Sequence, residues 1–130
     1  MPVVRISLAK GKPPEYLKTI SDVIYETMLE HYVLAEGDKF HIFEQLDSTA
    51  FIYDRDYVVQ EPRTDDFMMI QIISDARRAL EKVATIKAIC DNLGTALGVK
   101  PQDVAVILST NSTLEDFSLG EGAPATTPAG

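Results

Sequence analysis

The sequence predicts an α/β fold of two fused β-α-β units, a four-stranded sheet with two helices on one face. Three observations predict it. Short strand patterns alternate with long helical ones, the second half of the chain repeats the first, and 130 residues at 45% hydrophobic content suffice for one buried core but not two. The expected organisation is one domain over residues 1–120, with halves at about 2–47 and 66–110, a connection at 48–65 and a flexible tail at 121–130.

Val3 to Leu8 alternates, Val4, Ile6 and Leu8 against Val3, Arg5 and Ser7, which is the period of a half-buried strand. Gly11-Lys12-Pro13-Pro14 then punctuates the chain, and proline suits a helix's first turn because the N–H it lacks has no intrahelical partner there. From about Glu15, Leu17, Ile20, Ile24 and Met28 recur at helical spacing, and Gly37 offers a stop. Lys39 to Leu46 reads as a second strand. Residues 48–65 are irregular and charged, and a connection of that length is expected to be disordered or a flap, with Asp54, Asp56, Glu61 and Arg63 solvated or closing over a ligand.

The pattern then restarts. Phe67 to Ile73 is nearly continuously apolar, as in a strand buried on both faces. Ala79 to Leu97 is helical, with Val83, Ile86, Cys90, Leu93 and Leu97 assigned to the inner face, and Val104 to Leu108 is the fourth strand. Parallel strands joined through a helix need a crossover, and the right-handed crossover rule puts both helices on one side of the sheet. The other side needs a cover, so self-association is expected.

Composition narrows the function. Twelve Lys and Arg against 20 Asp and Glu give a net charge of -8, which disfavours nucleic acid and anionic membranes as partners. One cysteine, Cys90, cannot form an internal disulfide, no apolar run is long enough to span a membrane, and the start lacks the features of a secretory signal. A cytoplasmic location is expected. His31 and His41 stand alone without a second ligand at metal spacing, so no metal is predicted. Cys90 and the Met68-Met69 pair read as packing residues.

The candidate for chemistry is the second residue; by itself a Met-Pro start is more often a common processing outcome with no chemical meaning, and it is the doubled β-α-β context that gives it weight. A small residue after the initiator lets an aminopeptidase remove Met1, and the chain then opens on the secondary amine of Pro2 at the head of a strand. An α-amino group titrates near ~8, so modest local fields decide whether it serves as base or acid. A Met-Pro start, a strand directly after it and two β-α-β halves resemble the tautomerase superfamily in its fused, long-chain form. The resemblance is closest to the malonate semialdehyde decarboxylase group. It covers about residues 2–120 and rests on Pro2, Glu36-Gly37-Asp38-Lys39-Phe40, Ile73-Ser74-Asp75-Ala76-Arg77, Asn111-Ser112 and Asp116-Phe117-Ser118-Leu119-Gly120.

The resemblance implies Pro2 as the catalytic amine, Asp38 as the aspartate that orients water or holds the amine's proton, and Arg77 as the arginine that binds a substrate carboxylate. Asp75, Phe40, Phe117 and Leu119 would line the substrate site. It also implies a homotrimer acting without cofactor on a small carboxylate substrate, a 2-oxo or 3-oxo acid or its enol, with decarboxylase or hydratase chemistry open beside tautomerisation. Three positions depart from the group's pattern: Asp75 replaces the first of two arginines, Phe117 a tryptophan and Phe40 a tyrosine. A different or broader substrate follows, and malonate semialdehyde itself becomes a poor expectation. Set against this are bland alternatives: a scaffold or binding protein that keeps the fold without turnover, Asp38 and Asp103 as matching turn residues, and Arg77 as a solvated helix residue paired with Glu81.

Overall fold

The computed structural model describes residues 2–111 and 114–124. Its elements run β1 (Val3–Ala9), α1 (Pro14–His31), β2 (His41–Leu46), β3 (Met68–Ser74), α2 (Ala79–Leu97) and β4 (Val104–Thr110), with 3-10 turns at Pro101–Asp103 and Leu114–Asp116. The strands form one sheet in the order β2-β1-β3-β4. Each β-α-β half is a parallel pair, and the halves join antiparallel through β1 and β3, where Val3 faces Ile73 and Leu8 faces Met68.

Alternation places Val4, Ile6 and Leu8 of β1 and Met68, Ile70 and Ile72 of β3 on one face, and all six are buried in the cluster that holds Ile20, Ile24 and Met28 of α1 and Ile89 and Leu93 of α2. Both helices therefore cover the same side of the sheet, as the doubled pattern predicts. Burying this set is the main favourable term in folding, at roughly 25 cal/mol per Å2 of apolar surface. The opposite face carries Arg5, Ile42, Glu44, Gln71 and Ile107, with Ile42 and Ile107 exposed.

Several expectations need correction. Helix α1 ends at His31, six residues before Gly37, because the backbone turns out of helix at Tyr32 and enters the left-handed region at Val33 (φ 52°). Gly37 (φ 86°) serves the following turn instead, where its N–H bonds the Tyr25 hydroxyl and the Asp38 N–H bonds the Ala35 carbonyl. Strand β3 is buried on one face only within this chain, with Met69, Gln71 and Ile73 half-buried on the other.

The inner stripe of α2 is Thr85, Ile89 and Leu93, while Val83 is 66% exposed, Ile86 is exposed and Cys90 is half-buried. A threonine can occupy the stripe because its hydroxyl bonds the Glu81 carbonyl one turn back and so brings no unpaired group into the core. The helical spacing was read correctly and its phase was not.

Residues 48–65 form no strand or helix, and Asp54, Asp56 and Glu61 are exposed, as expected, while contacts within the segment and at its ends order it. Phe51, Tyr53 and Phe67 form an aromatic cluster with ring centroids 4.5 to 5.8 Å apart. Arg55 bonds the Arg63 carbonyl and pairs with Asp65, and Arg63 bonds the Asp54 carbonyl. Asp103, 1% exposed, accepts from the Thr64 N–H (2.7 Å) and hydroxyl (2.6 Å). It is the clamp for the end of this connection. Residues 125–130 of the expected tail, and Ser112, lie outside the described residues.

Candidate active site at the head of β1

Topology gathers the predicted chemistry at one end of the sheet. The antiparallel β1–β3 register sets the chain before Val3 beside Ser74 and Asp75, and the parallel β1–β2 register sets it beside the segment leading into β2. Pro2 is buried there. The Val4 N–H bonds the Phe40 carbonyl at 2.9 Å, joining the start of β1 to the Asp38-Lys39-Phe40 segment. The Asn111 N–H bonds the Ser74 carbonyl at 2.8 Å, so the chain leaving β4 arrives at the same end.

Arg77 lies before α2, and its side chain is only 9% exposed. Its Nε donates to the Tyr32 carbonyl (2.6 Å), Nη1 to the Ala76 carbonyl (3.1 Å), and Nη2 to the Val33 carbonyl (3.3 Å). The guanidinium lies over the Tyr32 ring, 4.7 Å from its centroid, and pairs with Asp75 Oδ1 at 3.0 Å. Glu81 is the partner of Arg78 instead, so the alternative of a solvated Arg77–Glu81 pair is wrong. At the start of α2, Glu81 folds back onto the Arg78 N–H, so an anion held by Arg77 would meet a competing carboxylate at the first N–H groups of the helix.

The carboxylates feel one another and the chain's start. Burial raises the Asp38 carboxyl above its ordinary range, and the Asp75 charge adds to this, while the positive charges of the amino terminus and Arg77 oppose it. Burial also works against the Asp75 anion, but hydrogen bonds and positive charge from Arg77 and the amino terminus outweigh it and hold Asp75 below the usual carboxylate range. Asp38, Asp75 and Arg77 thus lie within electrostatic reach of one another.

Of the other candidates, Phe40 is 42% exposed on the approach to β2, Phe117 is 8% exposed after β4, and Leu119 is half-buried. Tyr32 escaped the sequence reading, and Ser74 was given no role of its own there. Tyr32 and Ser74, both fully buried, join their hydroxyls at 2.6 Å, and the Ser74 hydroxyl also lies 2.8 Å from the Asp75 carbonyl. Together with the Arg77 stack they fix the turn that presents Asp75. The available signal was spacing: Tyr32 continues Ile20, Ile24 and Met28 at intervals of four.

A cleft of about 630 Å3 opens at the far end of β1, between Lys10, Asp47 and Tyr53, and contains none of the predicted residues. Volume and chemistry point to opposite ends of β1: the larger cleft lies at one, the interacting titratable groups at the other. His31 lies beside Glu30, and His41 Nδ1 pairs with the Ser21 hydroxyl at 2.7 Å. Among the described residues no group of three acidic, histidine or cysteine side chains could hold a metal, and no helix is long and apolar enough to cross a membrane.

A doubled β-α-β sheet with a proline opening its central strand beside an acidic and basic cluster defines a tautomerase-type architecture. The family described as "Tautomerase enzyme" matches residues 38–120. The probable tautomerase YusQ of Bacillus subtilis (strain 168) is 32% identical over 123 residues, 94% of this chain and 95% of that protein. A second probable tautomerase of the same organism, YrdN, is 23% identical over 93% of this chain and 94% of its own length. This chain belongs to the tautomerase family. Among solved structures, a malonate semialdehyde decarboxylase superposes with a TM-score of 0.86 at 23% identity, covering 93% of this chain and 92% of the other. A fused 4-OT described as an asymmetric trimer gives 0.73 at 18%, covering 95% of each. These likenesses establish the shared fold.

Proposed function

We propose that the protein is a cofactor-independent tautomerase that interconverts the enol and keto forms of a small 2-oxo or 3-oxo acid, with Pro2 as its proton-transfer group once Met1 has been removed. The observation that carries this reading is the convergence of the head of β1, the approach to β2 and the exit of β3, which brings Pro2, Asp38, Asp75 and Arg77 to one end of the sheet.

In the enol-to-keto direction the neutral Pro2 amine takes the hydroxyl proton of the enol, the oxygen's electrons form the carbonyl, and the carbon–carbon double bond takes the proton back from the ammonium at carbon. Nothing is oxidised, and the amine ends as it began. Asp38 steadies the ammonium between the two transfers, and Arg77 offers its remaining Nη2 hydrogen to the substrate carboxylate. With the amine protonated, the same cluster polarises a carbonyl, the starting point for hydration or loss of carbon dioxide as in the decarboxylase neighbour. The likeness to fused 4-OT trimers and the exposed Ile42 and Ile107 support a homotrimer closing over the open sheet face, and the single cysteine supports work in the cytoplasm.

One observation favours the non-catalytic reading: most of the guanidinium donors of Arg77 are already bonded to backbone carbonyls. Variants separate the two. Mass spectrometry first establishes the loss of Met1, and the Pro2→Ala and Arg77→Ala proteins are then assayed against phenylenolpyruvate by the change in ultraviolet absorbance. Catalysis at Pro2 requires a loss of about 10²-fold or more in the Pro2 variant. Undiminished turnover in both variants defeats the proposal.

A further inference from the structure

The end of the sheet that holds Pro2 has two acidic side chains and one guanidinium, and the guanidinium is nearly saturated. It has five N–H groups. The one on Nε faces the Tyr32 carbonyl, both on Nη1 face Asp75 and the Ala76 carbonyl, and one on Nη2 faces the Val33 carbonyl. Among the described residues a single Nη2 hydrogen is left for a ligand. The charges lead to the same conclusion: among the described residues that feel one another here, Asp38 and Asp75 are acidic against the one cation of Arg77, and an amine adds at most one positive charge, so this group carries no surplus positive charge to attract an anion.

Asp75 is the decisive member. Its carboxylate is paired with Arg77 at 3.0 Å and also interacts with the amino terminus, and it keeps 22% of its side chain exposed, so it offsets the positive charge that a ligand carboxylate would need and stands at the surface an entering ligand meets. The Tyr32–Ser74 hydroxyl pair and the Ser74–Asp75 contact hold it there, and its backbone is fixed at the end of β3. One ligand carboxylate can still find the free Nη2 hydrogen. A second would meet only like charge.

We infer that Asp75 is a specificity-determining residue that restricts this site to substrates bearing no more than one carboxylate and rejects dicarboxylic oxo acids. This rests on reading the head of β1 as the substrate site, as above. Its physical basis is that a like charge facing a ligand across a partly dehydrated site weakens binding by about tenfold or more, an effect that salt diminishes.

The test uses two non-reacting ligands with one skeleton, glutarate and its monomethyl ester, titrated into the Met1-free protein with amide chemical shifts at Asp75, Ala76 and Arg77 as the readout. The ester is expected to bind about tenfold more tightly than glutarate in the wild type, and Asp75→Asn, which keeps shape and hydrogen bonding, is expected to bring the two affinities close together. In the unaltered protein 1 M salt should shrink the preference as well, a measurement independent of any variant's folding. Glutarate binding as tightly as the ester in the wild type, an unchanged ratio in Asp75→Asn, or no shift at these amides with either ligand overturns the inference. Turnover bears on a separate point: a charge preference that Asp75→Asn abolishes, in a protein that converts no enol, leaves the charge filter standing and defeats the catalytic proposal alone.

Discussion

Acidification should destabilise this protein through one identifiable imidazole. His41 is half-buried at the start of β2 beside α1, with Nδ1 2.7 Å from the Ser21 hydroxyl. Burial, helped by the positive charge of Lys39 and opposed by Asp22, pushes its pKa from 6.5 down to about 4. Between those values the unfolded chain binds a proton that the native protein refuses. Stability from this group is therefore complete above about pH 6.5 and is lost as the pH falls toward 4. At pH 5 the full shift corresponds to about 2 kcal/mol, and solvent screening of a half-exposed ring reduces the expected loss to about 1 kcal/mol.

Acid also protonates carboxylates, so the assay is a comparison. Urea unfolding of wild type and His41→Gln at a fixed protein concentration, at pH 7 and pH 5, should show the wild type losing about 1 kcal/mol more than the variant across that interval. A proton NMR titration of the ring locates its midpoint directly. A midpoint near 6.5, or equal losses in the two proteins, refutes the argument that burial keeps this histidine neutral.

Tyr32→Phe keeps the ring under Arg77 but removes the hydroxyl that meets Ser74, and should lower stability by about 1–3 kcal/mol as read by urea unfolding; a cost near zero would mean the hydroxyl pair contributes nothing. Asp103→Ala leaves the Thr64 N–H and hydroxyl without their acceptor and should cost a similar ~1–3 kcal/mol, with faster amide exchange around Thr64 and unchanged protection in β1. Ile70→Ala, at a fully buried position in β3, should cost about 2–5 kcal/mol and lower the midpoint of thermal unfolding.

Much of the fold was legible because it depends on local periodicity. Strand alternation at Val4, Ile6 and Leu8 and helical spacing at Ile20, Ile24 and Met28 state their own buried faces, and a repeated β-α-β pattern leaves few topologies. Where faces were ambiguous, the reading failed. Helix α2 has two overlapping apolar stripes that share Leu93, and only contact with the sheet selects the one through Thr85 and Ile89. Gly37 signalled a stop, but the backbone leaves the helix at Tyr32 and turns left-handed at Val33 first.

The site divides the same way. The sequence by itself determined which residue types exist to do chemistry: a proline at the second position, an acidic residue before the second strand, and Asp75 and Arg77 at the turn after the third. It also determined the doubled architecture that puts those segments at the head of one strand. Only the tertiary structure decided where the Arg77 donors go, since carbonyls of Tyr32 and Val33 lie 45 and 44 residues away in sequence and appear as acceptors once α1 packs beside the exit of β3. The same packing gave Asp103 its partner in Thr64, which fastens the end of the 48–65 connection. Periodicity is a property of neighbouring residues and is written along the chain, whereas the saturation of a donor or the charge balance of a cluster depends on distances between segments that meet only on folding.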